Sequence, residues 1–81
     1  MARNRYEESA YYAAFSKRLR AMAAAKKMSG MDLARATCIF YGTIYMYLNG
    51  ERLPRADNLA KLCTVLDVDA NALLGIRRGD A

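Results

Sequence analysis

Helical spacing puts Tyr41, Gly42, Tyr45, Met46 and Asn49 on one side of the segment IFYGTIYMYLNG, residues 39–50. Phenol hydroxyls donate and accept hydrogen bonds, while the rings and the thioether offer polarisable apolar surface; none carries charge at neutral pH. That is the chemistry of recognition by contact, not of bond-making. On a helix from about Tyr41 to Leu48, the other side carries Phe40, Ile44, Tyr47 and Leu48 at i, i+4, i+7 and i+8, the spacing of a buried stripe. The stripe accounts for half of the segment. Stability supplies no reason to expose two tyrosines and a methionine on the other half.

Groups suited to other chemistry are sparse. The chain has two cysteines, Cys38 and Cys63, and no histidine. A tetrahedral zinc site needs four ligands, usually Cys or His in close pairs, so no metal is expected. Both cysteines read as small buried hydrophobes in a reducing compartment, Cys63 on an apolar helical stripe and Cys38 in a turn. Candidate Ser, Cys and Tyr nucleophiles have no His base, metal set or Gly-rich phosphate loop beside them, so no catalytic residue, cofactor or enzymatic activity is expected. No apolar run reaches membrane-spanning length, and MARNRYEES lacks the apolar stretch of a secretory signal. A cytoplasmic protein is the expectation, with no membrane partner.

At 81 residues the chain is one domain, small enough to bury only about 60 to 65% of its surface on folding. The net charge of +5 is unevenly spread. Residues 1–27 hold Arg3, Arg5, Lys17, Arg18, Arg20, Lys26 and Lys27 against Glu7 and Glu8, which is the whole excess. Residues 28–50 hold only Asp32 and Arg35, and residues 51–81 are balanced. One-sided basic charge is the electrostatic footprint of a polyanion binder, although basic proteins of this size also bind none.

The positioning elements are helices. In YYAAFSKRLRAMAAAKK, Tyr12, Phe15, Leu19 and Met22 recur at helical spacing, which predicts a first helix from Ser9 or Ala10 to Lys26. Ser29 with Asp32 three residues on has the pattern of a capping box opening a short helix from about Gly30 to Ala36, burying Leu33 and Ala34. Thr37-Cys38-Ile39 is a tight connection to the Tyr41–Leu48 helix, which Asn49-Gly50 ends. Pro54 breaks the loop that follows. A fourth helix, Ala56 to about Leu66, carries Leu59, Leu62, Cys63 and Leu66 inward; Asp69 caps a fifth with Leu73 and Leu74 inward, ended by Gly75. No stretch alternates with period two. The expected class is all-α, with a basic arm at 1–9, a folded domain at 10–75 and a frayed tail at 76–81.

Two short helices joined by a three-residue turn form a helix-turn-helix arrangement. From Phe15 to Leu74 the chain resembles the lambda-repressor-like, Cro/Xre-type family of DNA-binding domains. The matching pieces are FSKRLR, MSGMDLA, the spacing of Ala34, Cys38, Ile44 and Tyr47 across the turn, TIYMYLNG, RLPRADNLAKLCTVLDV and DANALL. The resemblance implies a compact five-helix fold, double-stranded DNA as partner, and helix three in the major groove. It assigns base contacts to Tyr41, Gly42, Thr43, Tyr45 and Met46. It assigns phosphate contacts to Ser29, Asn49, Arg52 and Arg55, with Arg3 and Arg5 as a flexible arm by looser analogy. A cytoplasmic, nucleoid-associated regulator of phage or bacterial type is implied, repressor-like in its layout.

The chain departs from the family pattern at four places. Gly30 stands where Gln is usual, Cys38 where Gly is common, and Phe40 where Ser or Thr caps helix three. The reading helix offers no Gln, Arg, Asn or Ser before Asn49, so reading by shape and by apolar contact with thymine methyls is expected. The rival reading is a protein-interaction module on the same fold, gripping a repressor or toxin through the Tyr/Met face. One helix spans only about three to five base pairs, so such single domains usually dimerise on two half-sites; if this chain forms a homodimer, Leu73, Leu74 and Ile76 are its patch.

Overall fold

A computed structural model describes residues 5–76, with side chains from residue 8 onward. The chain folds into α1 (Arg5–Ala25), α2 (Gly30–Thr37), α3 (Tyr41–Leu48), α4 (Ala56–Leu66) and α5 (Ala70–Leu74), with no strand among the described residues. α2 packs on α3 and α4, α1 on α3 and α5, and α4 on α5.

Local chemistry accounts for the helix ends. Ser29 Oγ accepts from the Asp32 amide at 3.1 Å, and the Ser29 amide donates to Asp32 Oδ2 at 2.9 Å, completing the expected capping box. These bonds hold the Asp32 carboxyl below its ordinary range, led by the Ser29 backbone bond. Asp69 caps α5 by accepting from the Asn71 amide. α1 starts at Arg5, several residues before the expected start, so residues 5–9 continue the helix. The sequence there has no breaker, and Glu8 stands near the positive end of the helix dipole. Its end is a left-handed Lys27 with the Met28 amide reaching back to Ala23 O, a Schellman closure. Residues 1–4 and 77–81, with Arg3 and most of the expected tail, lie outside the described residues.

One core joins all five helices: Phe15, Leu19, Leu33, Ile44, Leu62 and Leu73 are fully buried, and Ile39, Tyr47 and Leu66 nearly so. Each such aliphatic or phenyl side chain contributes about 1.5–3 kcal/mol relative to exposure. α3 is further fixed from α1, where buried Ser16 donates from Oγ to Leu48 O at 2.6 Å. Gly50 follows at φ +75°, a left-handed backbone that favours glycine, and packs against Tyr12 and Ser16 of α1.

Three expectations need correction. Phe40 is 78% exposed and is not part of the buried stripe. It is the N-cap residue, with φ −51° and ψ 135°, so the helical spacing that would align it with Ile44 does not extend to it. Cys38 is exposed instead of buried, because it occupies the left-handed turn position at φ 60° that ends α2 and directs its side chain outward. Leu73 is fully buried, as its inward place on the fifth helix predicts, and is therefore unavailable to a dimer patch, leaving half-buried Leu74 and exposed Ile76 of the expected three. Cys63 lies on the inward stripe as expected but is only half-buried, with its thiol pKa pushed up by burial and then by the nearby Asp69 charge.

Candidate nucleic-acid interface

The outer face of α3 is built by what holds its inner face. Ile44 and Tyr47 are in the core, and Tyr47 Oη accepts from Asn58 Nδ2 of α4 at 3.0 Å. With that side pinned, Tyr41 and Tyr45 turn outward at 40% and 51% exposure, their ring centroids 5.7 Å apart. Gly42, Thr43 and Met46 are partly exposed and Asn49 exposed. No charged residue lies between Tyr41 and Leu48.

Two glycines set the aromatic rings. At Gly30 a Cβ would stand 3.2 Å from Leu48 Cδ1 and 3.4 Å from Tyr41 Cε1. The Tyr41 ring therefore leans over the start of α2, in the space that a longer residue at position 30 would contest. At Gly42 a Cβ would come within 2.6 Å of Phe40 Cε2, so the Phe40 ring rests on the bare helix backbone. Phe40 is the surface residue that sequence reasoning missed. The available signal was its position one residue before the helix, where a non-capping residue has no local reason to be.

Beside α3 lies a polar groove of about 590 Å³, lined by Thr43, Tyr47, Arg52, Arg55, Asp57 and Asn58. The geometry brings Arg52 and Arg55 together next to the middle of α3. Arg55 is paired with Asp57 at 3.6 Å, both largely exposed, a contact worth at most about 1 kcal/mol and readily exchanged for another anion. Ser29 is exposed at the start of α2, with its hydroxyl oxygen engaged in the cap. Arg5 begins α1, and its side chain lies outside the described residues, as does Arg3.

Part of the basic excess is structural. Arg18 donates from Nε to Leu73 O at 2.8 Å and from an η nitrogen to Leu74 O at 2.9 Å, while Tyr11 Oη donates to Leu74 O at 2.6 Å. These bonds satisfy the orphan carbonyls at the end of α5 and place a cation at its negative pole.

Five helices, with α2 and α3 joined by a tight turn and a neutral outward face beside an arginine groove, define a helix-turn-helix domain. The chain belongs to the Cro/C1-type HTH DNA-binding domain family, whose sequence model matches residues 18–76, from within α1 to just past α5. No curated protein and no solved structure is significantly similar to it. The protein is thus a DNA-binding domain of the kind that serves regulators. Among the described residues no helix is long and apolar enough to cross a membrane, and no cluster of His, Cys, Asp or Glu is arranged for a metal.

Proposed function

We propose that the protein is a sequence-specific transcription regulator, repressor-like in layout, that lays α3 in the major groove of double-stranded DNA. The observation that carries this reading is the exposed, uncharged face of α3 next to the Arg52/Arg55 groove in a Cro/C1-type domain. Tyr41, Gly42, Thr43, Tyr45 and Met46 face the base edges, hydroxyls bonding and rings packing. Arg52, Arg55, Asn49 and the Ser29 hydroxyl proton serve phosphates, and Arg3 and Arg5 add charge at the end of the chain where α1 begins. Phosphate contacts supply affinity and its salt dependence, whereas the base contacts supply register.

The test is a fluorescence-anisotropy titration of random duplex DNA at several salt concentrations, with wild type, an Arg52→Ala/Arg55→Ala double variant and a Tyr45→Ala/Met46→Ala double variant. Removing two phosphate contacts lowers the magnitude of the log–log salt slope by about 1.8. The Tyr/Met variant retains the slope on random duplex and, in a selection from a random pool, loses the preference among sequences that wild type shows. A folded wild type that binds no duplex at low salt overturns the reading. In that case the exposed Met31, Tyr41 and Tyr45 surface supports the second one, a module that grips a protein partner.

A further inference from the structure

Among the described residues, Phe40 is the most exposed large apolar side chain, at 78%, and its position has no structural reward. As the N-cap of α3 it makes no side-chain hydrogen bond to the helix amides, where Ser or Thr would make one. The ring is nevertheless placed, because it rests against Gly42. Successive residues on a helix are about 100° apart, which puts position 42 roughly 60° from Tyr45 and roughly 40° from Met46. The Phe40 ring therefore lies at the leading end of α3, over Gly42, on the side of the helix that also carries Tyr45 and Met46. This face holds no charged group and no side-chain amide before Asn49, so it lacks the donors and acceptors that form bidentate bonds to guanine or adenine. The apolar feature of a major groove is the methyl group on C5 of thymine. Cytosine methylated at C5 presents the same group in an equivalent place.

We propose that Phe40, seated on Gly42, is a specificity-determining residue that reads pyrimidine C5-methyl groups, from thymine or 5-methylcytosine. The inference rests on the DNA-binding reading above. Gly42 is the seat: alanine there suits a helix better but displaces the ring. Arg52 and Arg55 hold the backbone whatever the sequence, so methyl reading is separable from affinity.

The experiment selects a tight duplex from a random pool with the full chain. That duplex is then prepared in four forms: unmodified, with deoxyuridine for thymidine, with 5-methylcytosine for cytosine, and with both. Dissociation constants are measured at one salt concentration for wild type, Phe40→Ala, Gly42→Ala and the Arg52→Ala/Arg55→Ala variant. Wild type weakens on thymine demethylation by about fourfold for each contacted methyl. Phe40→Ala binds the thymine and uracil forms within about twofold of each other and keeps the wild-type salt slope. Gly42→Ala melts at or above wild type yet also loses discrimination, which separates ring placement from folding. A gain on cytosine methylation identifies 5-methylcytosine as a second source of the methyl, and no gain assigns it to thymine alone. Equal wild-type binding of thymine and uracil forms, with the arginine variant weaker on both, overturns methyl reading and leaves DNA binding standing. A thymine preference undiminished in Phe40→Ala overturns the role of Phe40. Failure of every duplex to bind overturns both readings.

Discussion

α2 and α3 are each eight residues long and pack side by side, yet they begin in opposite ways. α2 opens on Ser29 with two reciprocal bonds to Asp32 and an acid near its positive pole. α3 opens on Phe40 with no cap and an exposed ring. The first helix is closed by local bonds at its start as well as by Leu33 in the core. The second is held from elsewhere, by Ile44 and Tyr47 in the core, the Asn58–Tyr47 bond and the Ser16–Leu48 bond. A helix held from behind leaves its first flanking residue, Phe40, without a capping role.

The comparison breaks most readily at Ile44. Ile44→Ala removes the buried anchor of α3 and costs about 2–5 kcal/mol, a large share of the stability of a domain this small. Urea unfolding reads it directly, and a loss below about 1 kcal/mol would show that the core does not hold α3. On the α2 side, Ser29→Ala costs about 1 kcal/mol, measured by the same titration.

The cap of α2 also titrates. Asp32 has a depressed pKa when folded, so its contribution is present above its unfolded value and is lost as pH falls through the folded one. Asp32→Asn flattens the acid limb of the stability profile, and an unchanged limb would remove Asp32 from the account. Phe40→Ser sharpens the contrast by moving two properties in opposite directions. It installs a cap and raises stability by about 0.5 kcal/mol, while binding to a selected duplex weakens. Loss of both would mean that the ring supports the fold.

An effect of similar size lies in the turn between the helices. Cys38→Gly relieves a left-handed residue carrying a side chain, for a gain of about 0.5–1 kcal/mol by thermal melting. An unchanged or lower melting temperature would show that the turn carries no strain at this position.

Much of the fold was legible because its signals are local. The Ser29–Asp32 box, the Asp69 cap and the left-handed Gly75 are settled within a few residues of chain, and the structure reproduces them. The inward stripe Leu59, Leu62, Cys63 and Leu66 likewise follows from one period within one helix, with Leu62 and Leu66 buried and the other two partly so. Periodicity misled at Phe40, where the residue belongs to the stripe by count but precedes the helix. It placed Leu73 inward correctly, and the burial of that residue removes it from the dimer patch to which it was also assigned.

The sequence by itself determined an all-helical chain, the places where its helices stop, and the neutral character of α3, since each depends on residues a few positions apart. Tertiary structure alone decided that the Tyr41 ring leans over Gly30, that Arg52 and Arg55 share a groove with Thr43, and that Arg18 serves α5. The Arg18 bonds join residues 55 and 56 positions apart. Contacts at that separation exist only after the chain has closed on itself, when one residue's environment is set by helices that its neighbours in sequence do not specify.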